Sequence, residues 1–311
     1  MVHVSTHVAG PRRRPGSLTV KLYLAGLHAA SAAAGVVSRN TFAEPVCRLV
    51  GAVWFLARPE ARDAVRDNLR HVLGREPTRR EVVRSFHYGA LNYWDTFALP
   101  HFTYSQLIDL VDIHGLEHID EARSLGKGVI CAAAHLGSVA LVAQVLPALG
   151  YPVTGVIEAF NPPEVFEFFA RQRQALGTRL LPAGSSAVRE LLLALRRNEL
   201  VGLVTDRDVS GTGPIVPFFG APTRFPDGAA WLSLRTGAPI LIAIAGRKAN
   251  GRFDAWIEPL PSVERTQNLK QDVLRVTRAV AGRLEYYVAK HPEQWTVFQR
   301  RWPNPTGPVS G

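Results

Sequence analysis

The stretch that decides the fold is residues 126–149, GKGVICAAAHLGSVALVAQVLPAL. The apolar run 129–134 predicts a buried strand, and the apolar segment that begins after Ser138 predicts a helix. His135 therefore lies at a turn from strand to helix, where the unpaired N–H groups and positive dipole end of the helix favour a neutral imidazole beside negative charge. This position suits a general base next to an oxyanion, although such a histidine can also be a hydrogen-bonded residue of the core.

The two residues that follow Leu136 support the same turn. Ser138 is a candidate N-cap of the predicted helix. Gly137 has no side chain and is therefore expected to let another molecule approach the backbone closely.

Composition describes a globular protein with a basic surface. The 36 basic and 26 acidic residues leave a formal charge of +10, which attracts the phosphates of nucleic acid, of an anionic membrane or of a phosphorylated co-substrate, although a coding bias toward arginine would produce the same excess. Cys47 and Cys131 lie in apolar stretches without metal-ligand spacing. This pattern excludes a disulfide framework, fits a reducing compartment and predicts no metal site.

The N-terminal segment predicts contact with a membrane surface. Residues 1–16 are basic and rich in glycine and proline, which predicts a disordered tail able to touch anionic lipid. Residues 18–37 form an apolar segment that resembles a signal peptide or a membrane span, but Lys21 and His28 interrupt it and no clear cleavage site follows. We interpret it as a helix that lies on a membrane or docks on the protein body.

Strand and helix patterns alternate from about residue 111 onward. This alternation predicts an α/β fold with a mainly parallel central sheet flanked by helices, preceded by an N-terminal helical region that docks on membrane. The expected organisation is a helical region at 17–110, continuous with an α/β core at 111–303, and a tail at 304–311. Ligands of such sheets gather at the carboxyl ends of the strands, and His135, Glu158 and Asp206 all follow predicted strands.

Seven motifs together resemble one protein family. They are NLRHVLG around Asn68, GKGVICAAAHLG around His135, an arginine and glycine at 173 and 177, TDRD at 205–208, PFFG at 217–220, LRTGAPI at 234–240 and HPEQWTVFQRRW at 291–302. Their order and spacing resemble the lysophospholipid acyltransferase superfamily, within it the bacterial branch of lipid A late acyltransferases and phosphatidylinositol mannoside acyltransferases. The TDRD form and the surroundings of Glu158 are more similar to the mannoside enzymes.

The resemblance implies transfer of a fatty acyl group from acyl-CoA or acyl carrier protein to a hydroxyl of a membrane lipid, without a resident cofactor. The histidine of an H-x4-D/E motif is the general base of this family, so His135 would take the proton of the attacking hydroxyl. Backbone N–H groups near Gly137 and Ser138 could stabilise the oxyanion. The expected location is the cytoplasmic face of the plasma (inner) membrane, with an anionic membrane surface as partner.

The chain departs from that motif at one position. The family pattern expects a carboxylate five residues after the histidine, and this chain has Ala140 there. Glu158, Asp206 and Asp208 are the candidate substitutes, and we expect them to take part in catalysis. The alternative is a weak or inactive relative that binds lipid or acyl-CoA, which an empty carboxylate position beside His135 would favour.

Three arginines and one tripeptide complete the predicted substrate site. Arg173 matches a family active-site arginine that could hold a phosphate, and its alternative is a surface charge. Arg207 is a candidate substrate contact whose alternative is a solvated turn or an internal ion pair, and Arg224 is a candidate phosphate contact whose alternative is a solvated side chain. The segment of Phe218, Phe219 and Gly220 is expected to shape an acyl or lipid groove.

Two other activities remain as alternatives to acyl transfer. Hydrolysis of the thioester would need only water in place of the lipid acceptor. Nucleic-acid binding follows from charge alone, and because the sequence contains no recognised nucleic-acid module, we expect no nucleic-acid partner.

Overall fold

The computed structural model describes residues 17–36 and 43–302. The predicted tails at 1–16 and 304–311 lie outside the described residues. Within the described ranges, no helix has both the length and the apolar character needed to cross a membrane.

Local sequence signals explain several ends of the first four helices. They are α1 (Ser17–Val36), α2 (Glu44–Ala57), α3 (Pro59–Leu73) and α4 (Arg79–Ala98). Proline occupies the first helical position of α3, and Gly74 ends that helix in the left-handed conformation, at φ 64°. A capping box of Thr78 and Glu81 begins α4. Gly51 of α2 packs directly against the backbone of α4 at His87, which brings these two helices close together.

The remaining elements alternate as the sequence predicts. The helices are α5 (Tyr104–Leu110), α6 (Glu117–Ser124), α7 (Val139–Val142), α8 (Val145–Ala148), α9 (Pro163–Gln174), α10 (Ser185–Arg196), α11 (Gly228–Thr236) and α12 (Leu269–Lys290). The strands are β1 (Val111–His114), β2 (Val129–Ala133), β3 (Val153–Ile157), β4 (Arg179–Pro182), β5 (Leu200–Val204), β6 (Ile215–Phe218), β7 (Ala221–Arg224), β8 (Ile240–Arg247) and β9 (Phe253–Pro259).

Seven of these strands form one central sheet, in the order β1-β9-β8-β2-β5-β3-β4. All neighbouring pairs are parallel except β8 and β9. The prediction of a mainly parallel sheet flanked by helices is therefore confirmed. The most buried strand, β2, lies between β8 and β5, with its carboxyl end at the centre of the sheet edge.

The side chains of β2 alternate between two apolar layers, as the strand period requires. Ile130 and Ala132 face a layer built with α10, α11 and α12. Val129 and Cys131 face the opposite layer, where α6 packs. Helices α5, α7 and α8 cover the same opposite side nearer the carboxyl edge.

Two local predictions were incomplete. The helix expected after Ser138 consists of two short helices, α7 and α8, because Pro147 has no N–H to continue the hydrogen-bonding pattern. The sequence analysis also missed the hairpin of β6 and β7, which pairs antiparallel outside the main sheet. Its turn residues are Phe219 and Gly220, both with positive φ, which is the backbone of a tight two-residue hairpin turn.

Candidate active site

His135 and Asp206 meet at the carboxyl edge of the central sheet. Strand β2 pairs with β5 so that Ala133 lies opposite Val204. Both strands end at this pair. His135 is the second residue after the end of β2, and Asp206 is the second residue after the end of β5. Register alone therefore places side by side two residues that are 71 positions apart in the sequence.

Asp206 binds the histidine twice. The ring Nδ1 of His135 lies 2.7 Å from Asp206 Oδ1, and the His135 backbone N–H donates to Oδ2 at 2.9 Å. The indole Nε1–H of Trp295 donates to the same Oδ2 at 2.7 Å. The carboxylate is fully buried, whereas 35% of the His135 side chain is exposed.

These contacts determine the protonation of the pair. Burial alone would raise the pKa of the Asp206 carboxyl, but the charge of His135 and the donated hydrogen bonds outweigh burial and lower that pKa to about 2. An ionised carboxylate only accepts hydrogen bonds, so Nδ1 of His135 must carry the proton that it donates. In the uncharged form of this ring, Nε2 keeps an unshared electron pair and is the atom able to accept a proton from a substrate.

The segment after α12 holds this pair from the other side. The backbone N–H of Thr296 donates to the His135 carbonyl oxygen at 2.9 Å, and the Thr296 hydroxyl donates to the same oxygen at 3.2 Å. Asn68 of α3 binds the segment in turn, since its Nδ2 donates to the carbonyl oxygens of Val297 and Gln299. The motifs around Asn68 and Trp295 thus form one support for the histidine.

Two cavities of different character meet at His135. An apolar cavity of about 240 Å³ lies between the sheet and the helices α7 and α8. A smaller pocket of about 150 Å³ lies toward α4 and is lined by polar side chains, among them Asn92, Ser138 and Thr296. Arg173 lines both, and its Nε has no hydrogen-bond partner among the described residues.

A broad groove continues from the smaller pocket. It has a volume of about 1390 Å³ and runs between α1, α2, α4 and α9. Its walls are mostly apolar and aromatic, and they also include Arg173 and the basic residues Arg58 and Arg300. Tyr93, Arg173 and Phe298 line both the groove and the smaller pocket.

Comparison with known proteins identifies the family. Residues 15–304 match the family model described as bacterial lipid A biosynthesis acyltransferase. This chain belongs to that family, and it is an acyltransferase. The resemblance inferred from the seven motifs is confirmed.

Similar proteins are found in both branches of the family. The acyltransferase is 33% identical over 293 residues to a phosphatidylinositol mannoside acyltransferase of Mycobacterium tuberculosis, covering 90% of this chain and 87% of the relative. It is 28% identical over 255 residues to a phosphatidylinositol mannoside acyltransferase of Mycolicibacterium smegmatis, covering 80% and 82% of the two chains. A lipid A biosynthesis acyltransferase of Haemophilus influenzae is 25% identical over 183 residues, covering 58% and 55%.

The structure separates the three carboxylates that the sequence offered as substitutes at Ala140. Asp206 contacts His135, whereas Glu158 forms an ion pair with Arg207. Asp208 turns away into its own loop, where it accepts hydrogen bonds from the backbone N–H groups of residues 210, 211 and 213. The expectation of a catalytic Asp208 is therefore corrected, because its oxygens are used to shape the loop.

Gly137 needs a correction as well. Its backbone N–H donates to the Gln294 carbonyl oxygen at 3.1 Å, so that group is not available to an oxyanion. Its φ is +56°, and an added Cβ would lie 2.7 Å from the carbonyl oxygen of Ala245. A glycine is required here by packing inside the acyltransferase, and not by the approach of another molecule.

Ser138 occupies the expected N-cap position, but its side chain makes no capping hydrogen bond. Its hydroxyl is buried without a partner among the described residues and lines the smaller pocket. The residue that was predicted as a helix cap thus presents a polar group beside His135.

The aromatic segment predicted to shape a lipid groove has a different position. Phe218 is fully buried and stacks on Trp302 in the core. The backbone N–H of Phe219 donates to Glu285, which ties the hairpin turn at Gly220 to α12. None of the three lines either cavity at His135, so the predicted acyl or lipid groove does not lie beside the histidine.

Arg224 is likewise engaged within the protein. Its guanidinium donates to the carbonyl oxygen of Gly213 at 3.0 Å, in the loop that Asp208 shapes. It lines neither cavity at His135, and its expected contact with phosphate is corrected to a contact between the hairpin and that loop.

Sequence reasoning assigned no role to Asn92, Trp295 and Thr296. Trp295 and Thr296 lie in the motif at 291–302, which carried a family resemblance but no chemistry. Asn92 lies within the aromatic helix α4 and has no sequence signal that separates it from other polar residues. Only the packing of α4 and of the C-terminal segment brings the three beside His135.

Proposed function

We propose that this acyltransferase moves a fatty acyl group from a thioester donor, acyl-CoA or acyl carrier protein, to a hydroxyl of a membrane glycolipid. The observation that carries the proposal is the position of His135, which is held by buried Asp206 between an apolar cavity and a polar pocket. A proton acceptor is thus fixed where an acyl chain and a hydroxyl can meet.

The reaction follows from the tautomer of His135. Nε2 accepts the proton of the acceptor hydroxyl while the hydroxyl oxygen attacks the thioester carbon, forming the ester C–O bond. The C–S bond then breaks, and the protonated ring returns its proton to the departing sulfur. Asp206 stabilises the imidazolium that exists between these steps, and the guanidinium of Arg173 faces the charge that develops at the junction of the cavities.

The apolar cavity supports the assignment of the donor. Its lining on β2 runs from Ala133 beside His135 back to Cys131, and on β3 from Ile157 back to Val153. The cavity therefore extends roughly 13 Å along the sheet, since a strand rises about 3.3 Å per residue. An apolar channel that ends at the general base is the shape needed by an acyl chain whose thioester must reach Nε2.

The proposed acceptor is a phosphatidylinositol mannoside. Relatives that carry that name match 80% to 90% of this chain, whereas the lipid A relative matches 58%. The broad apolar groove, which reaches the polar pocket through Arg173, offers a place for the lipid part of such an acceptor. The basic residues at its walls suit a phosphate headgroup.

We also propose that α1 and α2 dock the protein on the membrane. The apolar stripe of α2 faces solvent, with Leu49 exposed by 68% and Val53 by 56%, and Leu18 and Leu22 of α1 are exposed as well. Exposed apolar side chains on these two helices mark an interaction surface. The positive net charge favours an anionic bilayer, and acyl-CoA or acyl carrier protein as donor would place the enzyme at the cytoplasmic face.

The alternative of an inactive relative rested on an empty carboxylate position at Ala140. Asp206 supplies a carboxylate at hydrogen-bond distance from the His135 ring, which favours an active enzyme. The second alternative, hydrolysis of the thioester, uses the same base and is distinguished by the product.

The test is transfer of label from radioactive palmitoyl-CoA to a lipid extract that contains phosphatidylinositol mannosides. We expect the wild type to label a glycolipid and His135→Ala to label none while keeping its melting temperature within a few degrees. Label in free palmitate alone would indicate hydrolysis. Binding of palmitoyl-CoA and vesicles without product from either protein would support the inactive relative.

A further inference from the structure

The polar pocket beside His135 contains hydrogen-bonding groups that the proposed acyl transfer does not use. It is bounded by α4 on one side and by the turn at Ser138 on the other. Its volume of about 150 Å³ corresponds to about five water-sized groups, since one water occupies about 30 Å³. The pocket can therefore take a small hydroxyl-bearing fragment of a substrate.

Hydrogen bonds fix the orientation of Asn92 in this pocket. The Thr296 hydroxyl donates to the His135 carbonyl oxygen, so its own oxygen is left to accept a hydrogen bond. Asn92 Nδ2 donates to that oxygen at 3.1 Å. The amide oxygen Oδ1 must then be the other end of the side chain, and it is buried without a partner among the described residues.

Ser138 adds a second unpartnered group. Only 1% of this residue is exposed, and its hydroxyl has no partner among the residues that the structure describes. A buried polar group without a partner costs free energy, so a pocket with two such groups is suited to a ligand that pairs with both. Asn92 Oδ1 needs a donor, whereas Ser138 Oγ can donate or accept.

Because Asn92 Oδ1 only accepts hydrogen bonds, its ligand must carry a hydrogen-bond donor. A thioester oxygen and an acyl chain have no proton to give to Asn92 Oδ1. The pocket communicates with the broad groove through Tyr93, Arg173 and Phe298, and Asn92 does not line the apolar cavity. The partner of Oδ1 is therefore expected on the acceptor side of His135.

We propose that Asn92 Oδ1 and Ser138 Oγ bind a second hydroxyl of the acceptor, adjacent to the hydroxyl that is acylated. The substrate class is then a polyol, such as a sugar headgroup, and not a lipid with a single hydroxyl. This inference rests on the proposed acyl transfer and adds to it how the enzyme recognises its acceptor.

The test compares wild type, Asn92→Ala and Ser138→Ala with palmitoyl-CoA as donor. The acceptors are octyl α-D-mannopyranoside and its analogues that each lack one hydroxyl. We expect the wild type to use one analogue about tenfold less well in kcat/KM, and each variant to lose that discrimination. The KM for palmitoyl-CoA should stay within about twofold.

Two further variants separate recognition from folding. Ser85→Ala removes a buried hydroxyl elsewhere on α4 and should leave the discrimination intact. Thr296→Val removes the hydroxyl that orients the Asn92 amide, so it should weaken the same discrimination although Asn92 itself is unchanged.

Three results would overturn the proposal. Discrimination that persists in Asn92→Ala would remove Oδ1 from acceptor recognition. A raised KM for palmitoyl-CoA with unchanged acceptor kinetics would assign Oδ1 to an amide of the donor. If the wild type transfers nothing, calorimetric binding of octyl α-D-mannopyranoside decides instead: about tenfold weaker binding to Asn92→Ala supports the site, and equal binding refutes it.

Discussion

At the scale of single residues, the carboxylate that supports the histidine comes from a neighbouring strand. A residue five positions after His135 would lie on α7, and this chain has Ala140 there, at the wall of both cavities. Asp206 reaches the ring from β5, behind the strand edge, and is buried by Trp295. The small side chain at 140 leaves room beside His135, while the carboxylate is kept away from solvent.

The first prediction concerns Asp206→Asn. Oδ2 accepts hydrogen bonds from both the His135 N–H and the Trp295 indole, so the amide oxygen of asparagine will take that place. Its NH2 group then faces Nδ1 of His135, which moves the ring proton to Nε2 and removes the base. We expect kcat to fall by about three orders of magnitude, with little change in KM for acyl-CoA, measured by initial rates.

Asp254→Asn is the matched control, because this carboxylate pairs with Lys248 and His114 and lines neither cavity at His135. It should keep wild-type turnover. Activity of Asp206→Asn within tenfold of the wild type would contradict the assigned role.

The second prediction is a dependence of stability on acid pH. The folded-state pKa of Asp206 is about 2, whereas an unfolded aspartate titrates near 4, so the folded state binds the proton less well. Its contribution, on the order of 2 kcal/mol, is present above about pH 4 and lost as pH falls toward 2. Urea unfolding across this pH range should give free energies of unfolding for wild type and Asp206→Asn that converge as the pH falls. A difference that stays constant with pH would contradict the prediction.

At the scale of elements, the turn between β2 and α7 is shaped by packing against β8 and the C-terminal segment. Gly137 lies against the Ala245 carbonyl, and its neighbours Leu136 and His135 pair with residues 295 and 296. Asn68 of α3 holds the same segment through its side-chain amide. The orientation of the His135 ring is therefore a product of four elements that are distant in sequence.

The third prediction separates backbone strain from close packing at this turn. Gly74→Ala places a side chain at φ +64° with no atom within 4 Å of the new Cβ. Backbone strain alone should therefore lower the free energy of unfolding by about 1 kcal/mol. Gly137→Ala has a similar φ but also brings the new Cβ against the Ala245 carbonyl oxygen. It should therefore lower the free energy of unfolding by roughly 1 to 3 kcal/mol more than Gly74→Ala does. Urea unfolding measures both, and equal losses would show that the contact relaxes freely.

At the scale of the whole molecule, the exposed face of α1 and α2 and the broad groove lie on the helical side of the protein. The groove is lined by Val46, Val50 and Trp54 of α2, and it reaches Arg173 beside His135. A lipid that enters from a bilayer at α2 would thus reach the active site along an apolar wall. Docking and substrate delivery would use one continuous surface.

The fourth prediction tests this docking with Leu49→Glu combined with Val53→Glu. Both side chains are largely exposed, so the melting temperature should change little, but two charges at the proposed contact should weaken vesicle binding by about tenfold or more. Co-sedimentation with vesicles that contain phosphatidylglycerol measures the loss. Leu125→Glu is the control, since Leu125 is 60% exposed at the end of α6, and an equal loss from this variant would contradict specific docking.

Sequence alone predicted the alternation of strands and helices, the burial of β2 and the family, because these depend on local periodicity and on motifs along the chain. It also named His135 and offered Asp206 among three carboxylates. The choice among them depended on tertiary structure, because strand order and register place residue 206 beside residue 135 while the chain directs Asp208 into its own loop. Asn92 and Trp295 joined the site only through packing of α4 and the C-terminal segment. Contacts between such distant residues are set by the whole fold, which no local pattern encodes.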